Sequence, residues 1–229
     1  INVDRAHAVL ADGHVDLFIR GEEVRLAART NLDGGSVDLE ATGHPFVSQP
    51  SLTVRQLRFR HLDLARLAPS VGVASDLSGT GTLQAHGRRL ADLSLSGGAV
   101  LEDSRVGTQR LSGGVIQASL SGGNLQLKGE LDAPEGSLAV SGVARPFDSI
   151  PSYAIREGTF RDLDLGPLLG IASLHTRLAG SLEAEGSGRR PEGGRLTGSL
   201  TLRESTVNRN AIRHGRLDAT LSDGRVHLA

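Results

Sequence analysis

Apolar and polar residues alternate with a period of two through most of this chain. In Leu93-Ser-Leu95-Ser-Gly97-Gly-Ala99-Val-Leu101 the apolar set falls on odd positions, and in Leu196-Thr-Gly198-Ser-Leu200-Thr-Leu202 on even ones. Ile116-Gln-Ala118-Ser-Leu120, Leu217-Asp-Ala219-Thr-Leu221, Leu125-Gln-Leu127, Val226-His-Leu228 and Val37-Asp-Leu39 follow the same rule. Successive side chains of a strand point to opposite faces, so strict alternation predicts strands with one apolar and one polar face. Turn signals punctuate the strands at Ser121-Gly-Gly-Asn124, Ser222-Asp-Gly-Arg225, Ala11-Asp-Gly-His14 and Asp33-Gly-Gly35. Turns this short join antiparallel neighbours, because parallel neighbours need long crossovers. All eight prolines fall in joints or turns, as unbroken ladders require.

One segment breaks the alternation at regular intervals. Leu64-Ala-Arg-Leu67-Ala68 and Leu165-Gly-Pro-Leu168-Leu169 place apolar residues at i, i+3 and i+4 behind Asp63 and Asp164. This spacing predicts one short helix per repeat, with each aspartate as an N-cap contributing about 1 kcal/mol. The interval is a repeat length. Phe59–Leu64 recurs at Phe160–Leu165, and His44–Pro50 at Arg145–Pro151, both at an offset of 101. The register from Gly97–Lys128 onto Gly198–Ala229 holds at the same offset without a gap, while Leu83 slips to pair with Leu182 at 99. The expected organisation is the second half of a unit (1–46), a whole unit (47–147) and most of a third (148–229), in a fragment of a longer repeat protein.

The apolar rows must therefore be thin and aliphatic. The chain has no Cys, Met or Trp, one Tyr and five Phe against 30 Gly, so the residues that usually bury the largest areas are scarce. A train of hairpins with one apolar face either closes into a sandwich or curls into an open trough, and alternation alone is satisfied by both. The candidate lining of such a trough is Leu77, Leu83, Leu93, Leu95, Leu101, Val106, Leu111, Ile116, Leu120, Leu125 and Leu127. In the following repeat it is Leu178, Leu182, Leu196, Leu200, Leu202, Val207, Ile212, Leu217, Leu221, Val226 and Leu228.

Charge adds little. The 25 basic and 26 acidic residues are interspersed, which leaves no electrostatic footprint for nucleic acid. Without cysteine there is neither a disulfide framework nor a zinc knuckle. No phosphate loop surrounds Lys128, Gly79-Thr-Gly81 lacks the third glycine of a dinucleotide fingerprint, and the eight histidines share no ligand spacing. The histidines read as solvated, the recurring Pro-Phe-x-Ser-x-Pro as a unit junction, and Arg88-Arg89 and Arg189-Arg190 as paired surface arginines in a glycine-rich turn. No catalytic, cofactor or metal site is expected, and the chain reads as not an enzyme.

The repeated phrase Phe-Arg-x-Leu-Asp-Leu, a short helix, Leu-(Ser/Ala)-Gly-x-Leu-x-Ala-x-Gly and the Leu-x-Leu hairpins resemble the AsmA-like/TamB superfamily of Gram-negative envelope proteins. The residues that carry the likeness are Phe160–Leu165, Leu178-Ala-Gly180, Leu182–Gly186, Leu200-Thr-Leu202 and Leu217–Leu221, with their mates a repeat earlier. The resemblance implies an all-β, elongated, curved (taco-like), mostly antiparallel sheet with an aliphatic groove, in the periplasm, the parent protein being anchored in the inner membrane. It implies phospholipid acyl chains as partners and phospholipid transport between the two membranes as the function. It further implies, as an alternative, a translocation-module scaffold for outer-membrane proteins and autotransporters, with an Omp85-class barrel or unfolded outer-membrane proteins as partners. A third expectation, from repetition alone, is a surface adhesin or stalk.

Overall fold

The structure, a computed structural model, describes residues 3–10, 13–32, 35–67, 74–89, 92–166, 171, 173–188, 194–222 and 225–228. It is all-β and antiparallel, and falls into two compact units, Ile1–Gly122 and Gly123–Ala229. The division lies inside the stretch 47–147 that the sequence reads as one repeat.

In the first unit the chain order is β1 (Val3–Leu10), β2 (Gly13–Arg20), β3 (Glu23–Leu32), β4 (Gly35–His44), β5 (Ser51–Leu62), α1 (Leu64–Leu67), β6 (Ser75–His86), β7 (Ser94–Leu101), β8 (Ser104–Val106), β9 (Gln109–Leu111) and β10 (Gly113–Ser121). The ladder runs β1-β2-β3-β4-β5-β6-β7-β10, with the small β8–β9 hairpin pairing back onto the start of β6. The second unit is a plain meander of β11 (Asn124–Ala133), β12 (Gly136–Arg145), β13 (Ser152–Leu163), β14 (Thr176–Ser187), β15 (Arg195–Val207), β16 (Asn210–Ser222) and β17 (Arg225–Leu228).

Register decides which side chains share a face. Across the first unit, Leu17, Leu26, Ala41, Val54, Leu83, Gly97 and Ala118 stand opposite one another from strand to strand. A second row runs Ala28, Leu39, Leu57, Gly81, Ala99 and Ile116. In the second unit one row joins Leu125, Ala144, Tyr153, Gly186, Leu196 and Leu221, and another joins Gly129, Val140, Gly158, Leu182, Leu200 and Leu217. The residues between these rows, such as Arg29, Asp38, Glu40, Lys128, Thr201 and Asp218, fall on the opposite face.

Two irregularities recur in both units and keep the rows aligned. On β5 the register shifts between Val54 and Leu57, so even-numbered Leu52 and Val54 and odd-numbered Leu57 and Phe59 all reach the apolar face. The shift between Ile155 and Gly158 does the same for Tyr153, Ile155 and Phe160. Each is a β-bulge, in which one extra residue reverses the parity of a strand. A second shift brings Leu62 opposite Leu77 and Leu163 opposite Leu178. It coincides with positive φ at His61 (54°) and Asp162 (51°). Phe59 and Phe160 then cover a glycine each: a Cβ on Gly79 would sit 3.0 Å from the Phe59 Cζ, and one on Gly180 3.1 Å from the Phe160 Cζ. Only glycine leaves room for the ring.

The segment after β5 is pinned by its aspartate. Asp63 Oδ1 accepts from Ala65 N at 3.1 Å, as an N-cap does, and also from Ser75 N at 2.9 Å, where β6 begins. Asp164 Oδ1 accepts from Gly166 N and Thr176 N, each at 3.0 Å. The first expected helix is present as α1; the second begins at Leu165–Gly166, and its Leu168 and Leu169 lie outside the described residues, as does Ala68. Ser104 Oγ and Ser205 Oγ bridge the irregular stretch of the facing strand, accepting from Ser78 N and Ala179 N at 3.0 Å and donating to the same residues' carbonyls at 3.2 Å.

Candidate apolar site

Among the described residues, few hydrophobic side chains are buried in either unit. Ala41, Val54, Phe59, Leu101, Leu111 and Leu120 are buried in the first unit, and Ala154, Phe160 and Leu178 in the second. Most other row leucines are half-buried, and Leu52, Leu127 and Leu217 are exposed. Each unit therefore presents an aliphatic face that its own ladder only partly removes from water. Isolated exposed leucines are ordinary, whereas a contiguous exposed set marks a surface that meets something else.

The expected lining residues divide into two groups. Leu77, Leu83, Leu95, Leu101, Ile116 and Leu120 share the apolar face of the first unit. Leu93 lies one residue before β7, against the same face. Leu125, Leu127, Leu178, Leu182, Leu196, Leu200, Leu202, Leu217 and Leu221 share that of the second, with Val226 opposite Leu221 and Leu228 opposite Ala219. Val106, Leu111, Val207 and Ile212 leave these rows. They sit in hairpin tips opposite Ser75, Ser104, Thr176 and Ser205. The tips turn at Gly107 (φ 59°) and Asn208 (φ 53°), residue types that tolerate the left-handed conformation.

At the end of the first unit where β4 meets β5, the apolar face sinks into a recess of about 360 Å³. It is lined by Leu17, Val24, Leu26, Ala41, Gly43, Pro45, Pro50, Leu52, Ala85 and Leu93, with Thr42, Ser51, His86 and Gly87 completing the wall. Of these, only Leu93 stood among the expected lining residues. The signal for Leu17, Val24 and Leu26 is the same alternation, in Val15-Asp-Leu17-Phe-Ile19 and Val24-Arg-Leu26-Ala-Ala28. Leu52 carries no such signal, because the bulge puts the two halves of its strand out of phase.

The polar faces carry concavities too. Asp16, Phe18, Arg25, Ala27, Glu40 and Arg55 line one of about 510 Å³ in the first unit. Glu130, Asp132, Ser137, Thr159, Arg161, Ser181 and Arg203 line one of the same size in the second. Both mix cations and anions, so neither selects a charge. Ion pairs on these faces, such as Arg216 with Asp218 at 2.9 Å and Arg29 with Asp38, are solvent-exposed, as is Arg110 with Asp103 at 2.7 Å beside the β8–β9 tip, and contribute little. His61 is exposed and its Nδ1 lies 2.9 Å from Asp76 Oδ1. Among the described residues no group of His, Asp and Glu could hold a metal ion, and no helix is long and apolar enough to cross a membrane.

Two titrating groups stand out. The backbone N–H of Ser75 holds Asp63 below the ordinary carboxylate value against partial burial, helped by Ala65 N–H and Arg66. Burial raises Asp164, but the N–H groups of Thr176 and Gly166 outweigh it and leave the pKa lowered. These carboxylates are structural staples. The paired arginines differ in what is described: Arg88 Nη2 donates to Val47 O at 2.7 Å, and Arg189 and Arg190 lie outside the described residues. The chain matches no protein-family model, no curated protein and no solved structure.

Proposed function

We propose that the chain is a segment of an envelope β-groove protein of the AsmA-like/TamB kind, which shields phospholipid acyl chains in transit between the inner and outer membranes. In this reading tandem units of about 101 residues line one taco-shaped periplasmic trough, and the parent is held in the inner membrane. The observation that carries it is the aliphatic row that crosses strand after strand of each unit on a face left half-exposed. The repeat is supported by staples that recur at one offset: Asp63 and Asp164, Ser104 and Ser205, and the bulges after Val54 and Ile155.

Acyl chains suit such a face physically. Each methylene removed from water contributes roughly 0.8 kcal/mol, and similar rows in successive units let a tail move on without a large barrier. Head groups stay in water, and no bond is made or broken. To test this, the chain is purified from a bacterial envelope and its bound lipid measured by native and lipid mass spectrometry. Near-stoichiometric phospholipid, lost when Leu95→Arg and Leu200→Arg together place charge on the apolar faces of both units, is the expected result. A lipid-free, stable protein would overturn the reading.

A second reading, a scaffold for unfolded outer-membrane strands, is favoured by strand length. β15 and β16 have 13 residues each, enough to template a membrane strand of about 9–11 residues. Backbone crosslinks from the strands to a client barrel rather than to lipid would select it.

A further inference from the structure

The apolar face of the first unit is not a uniform track. The recess of about 360 Å³ at its β4–β5 end falls within the size range of small-molecule sites, roughly 300–1,000 Å³. Leu17, Leu26, Leu52 and Leu93 give it aliphatic walls, and Pro45 and Pro50 close one side. Proline fixes φ, so this wall needs little ordering when a ligand enters.

The rim carries a cation. Arg88 follows Gly87, a lining residue, and its Nη2 is tied to Val47 O in the loop between the two prolines at 2.7 Å. That bond occupies one of the five guanidinium donors. The remaining fork matches the geometry of phosphate oxygens.

In the second unit the corresponding position carries an aromatic ring. Tyr153 stands 101 residues after Leu52, and its ring lies over Gly186: a Cβ there would be 2.6 Å from Cε2 and 2.8 Å from Cζ. In the first unit the corresponding pair is Leu52 opposite Ala85, with no ring to occupy the space.

We propose that this recess is a seat for one phospholipid acyl chain, holding its head-proximal methylenes, with Arg88 at the rim placed for the phosphate. The inference rests on the acyl-chain reading above and narrows it from a uniform surface to a defined docking subsite.

The full 229-residue chain is titrated by calorimetry with a palmitoyl lysophospholipid below its micelle concentration, and with neutral monopalmitoylglycerol. One saturable site is expected for both. Ala85→Phe, which fills the recess, should weaken both by roughly tenfold or more. Arg88→Gln should weaken the lysophospholipid alone, by several-fold. If Ala85→Phe folds poorly, the double substitution Leu52→Tyr with Ala85→Gly copies the pair already accommodated in the second unit and should have the same effect. Binding untouched by either filler but lost in Leu200→Arg would overturn the seat and leave the groove standing. No binding by the unaltered chain would overturn both.

Discussion

Replacing Ser205 by alanine removes one oxygen from the most buried side chain described in the second unit. Ser205 is 1% exposed, and its Oγ lies 3.0 Å from Ala179 N, 3.2 Å from Ala179 O and 3.1 Å from Arg203 O. The hydroxyl has a single proton, so it accepts from the amide and donates to one carbonyl at a time. Ala179 lies where the β14–β15 register shifts between Arg177 and Gly180, so the regular ladder gives its N–H no substitute partner. An orphaned buried amide costs about 1–3 kcal/mol. Taking the middle, Ser205→Ala should destabilise the second unit by about 2 kcal/mol, a roughly 30-fold larger open population at about 1.4 kcal/mol per decade. Urea unfolding gives the total, and amide hydrogen exchange at Ala179 reads the site itself. Ser104→Ala should behave alike through Ser78, given the same 3.0 and 3.2 Å geometry. A loss below about 0.5 kcal/mol, or unchanged exchange at Ala179, would refute the bridging role.

Two further predictions follow from packing and titration. Phe160, 9% exposed and seated over Gly180, should cost about 3–5 kcal/mol as Phe160→Ala, whereas Gly129→Ala meets only Val140 Cγ1 at an ordinary 3.6 Å and should be neutral or mildly stabilising; denaturation midpoints separate the two. Asp63 and Asp164 both lie below their ordinary value of 3.8 when folded, so their contribution is complete above that value and is lost as pH falls through the lower folded values. The unaltered chain should therefore lose thermal stability more steeply below about pH 4 than Asp63→Ala/Asp164→Ala. Parallel melting profiles would contradict this.

Much of the fold is legible because its causes are local. Alternation in Leu93–Leu101 and Leu196–Leu202 dictates strands with one apolar face, since a strand's side chains alternate whatever surrounds it. Asp63 and Asp164 announce their caps, and Gly107 and Asn208 suit the tips they turn. The apolar face was legible where strands stay regular, and so the rows through Leu83, Leu95, Leu182 and Leu200 could be read directly.

Other features depend on what a strand is paired with, and the sequence alone does not carry that. The bulges that bring Leu52, Val54, Leu57 and Phe59 to one face arise between strands, so the change of phase reads along the chain as noise. Val106, Leu111, Val207 and Ile212 alternate like their neighbours, yet pairing in the tips sets them opposite serine, threonine and, for Val106 and Val207, Gln109 and Asn210. The recess needs Leu17, Leu52 and Leu93, far apart in sequence, to converge where no aromatic ring covers an alanine. Period and capping are decided by neighbours along the chain and were determined by the sequence. Register, bulge placement and the shape of the apolar face are decided by neighbours across it, and only the tertiary structure fixed them.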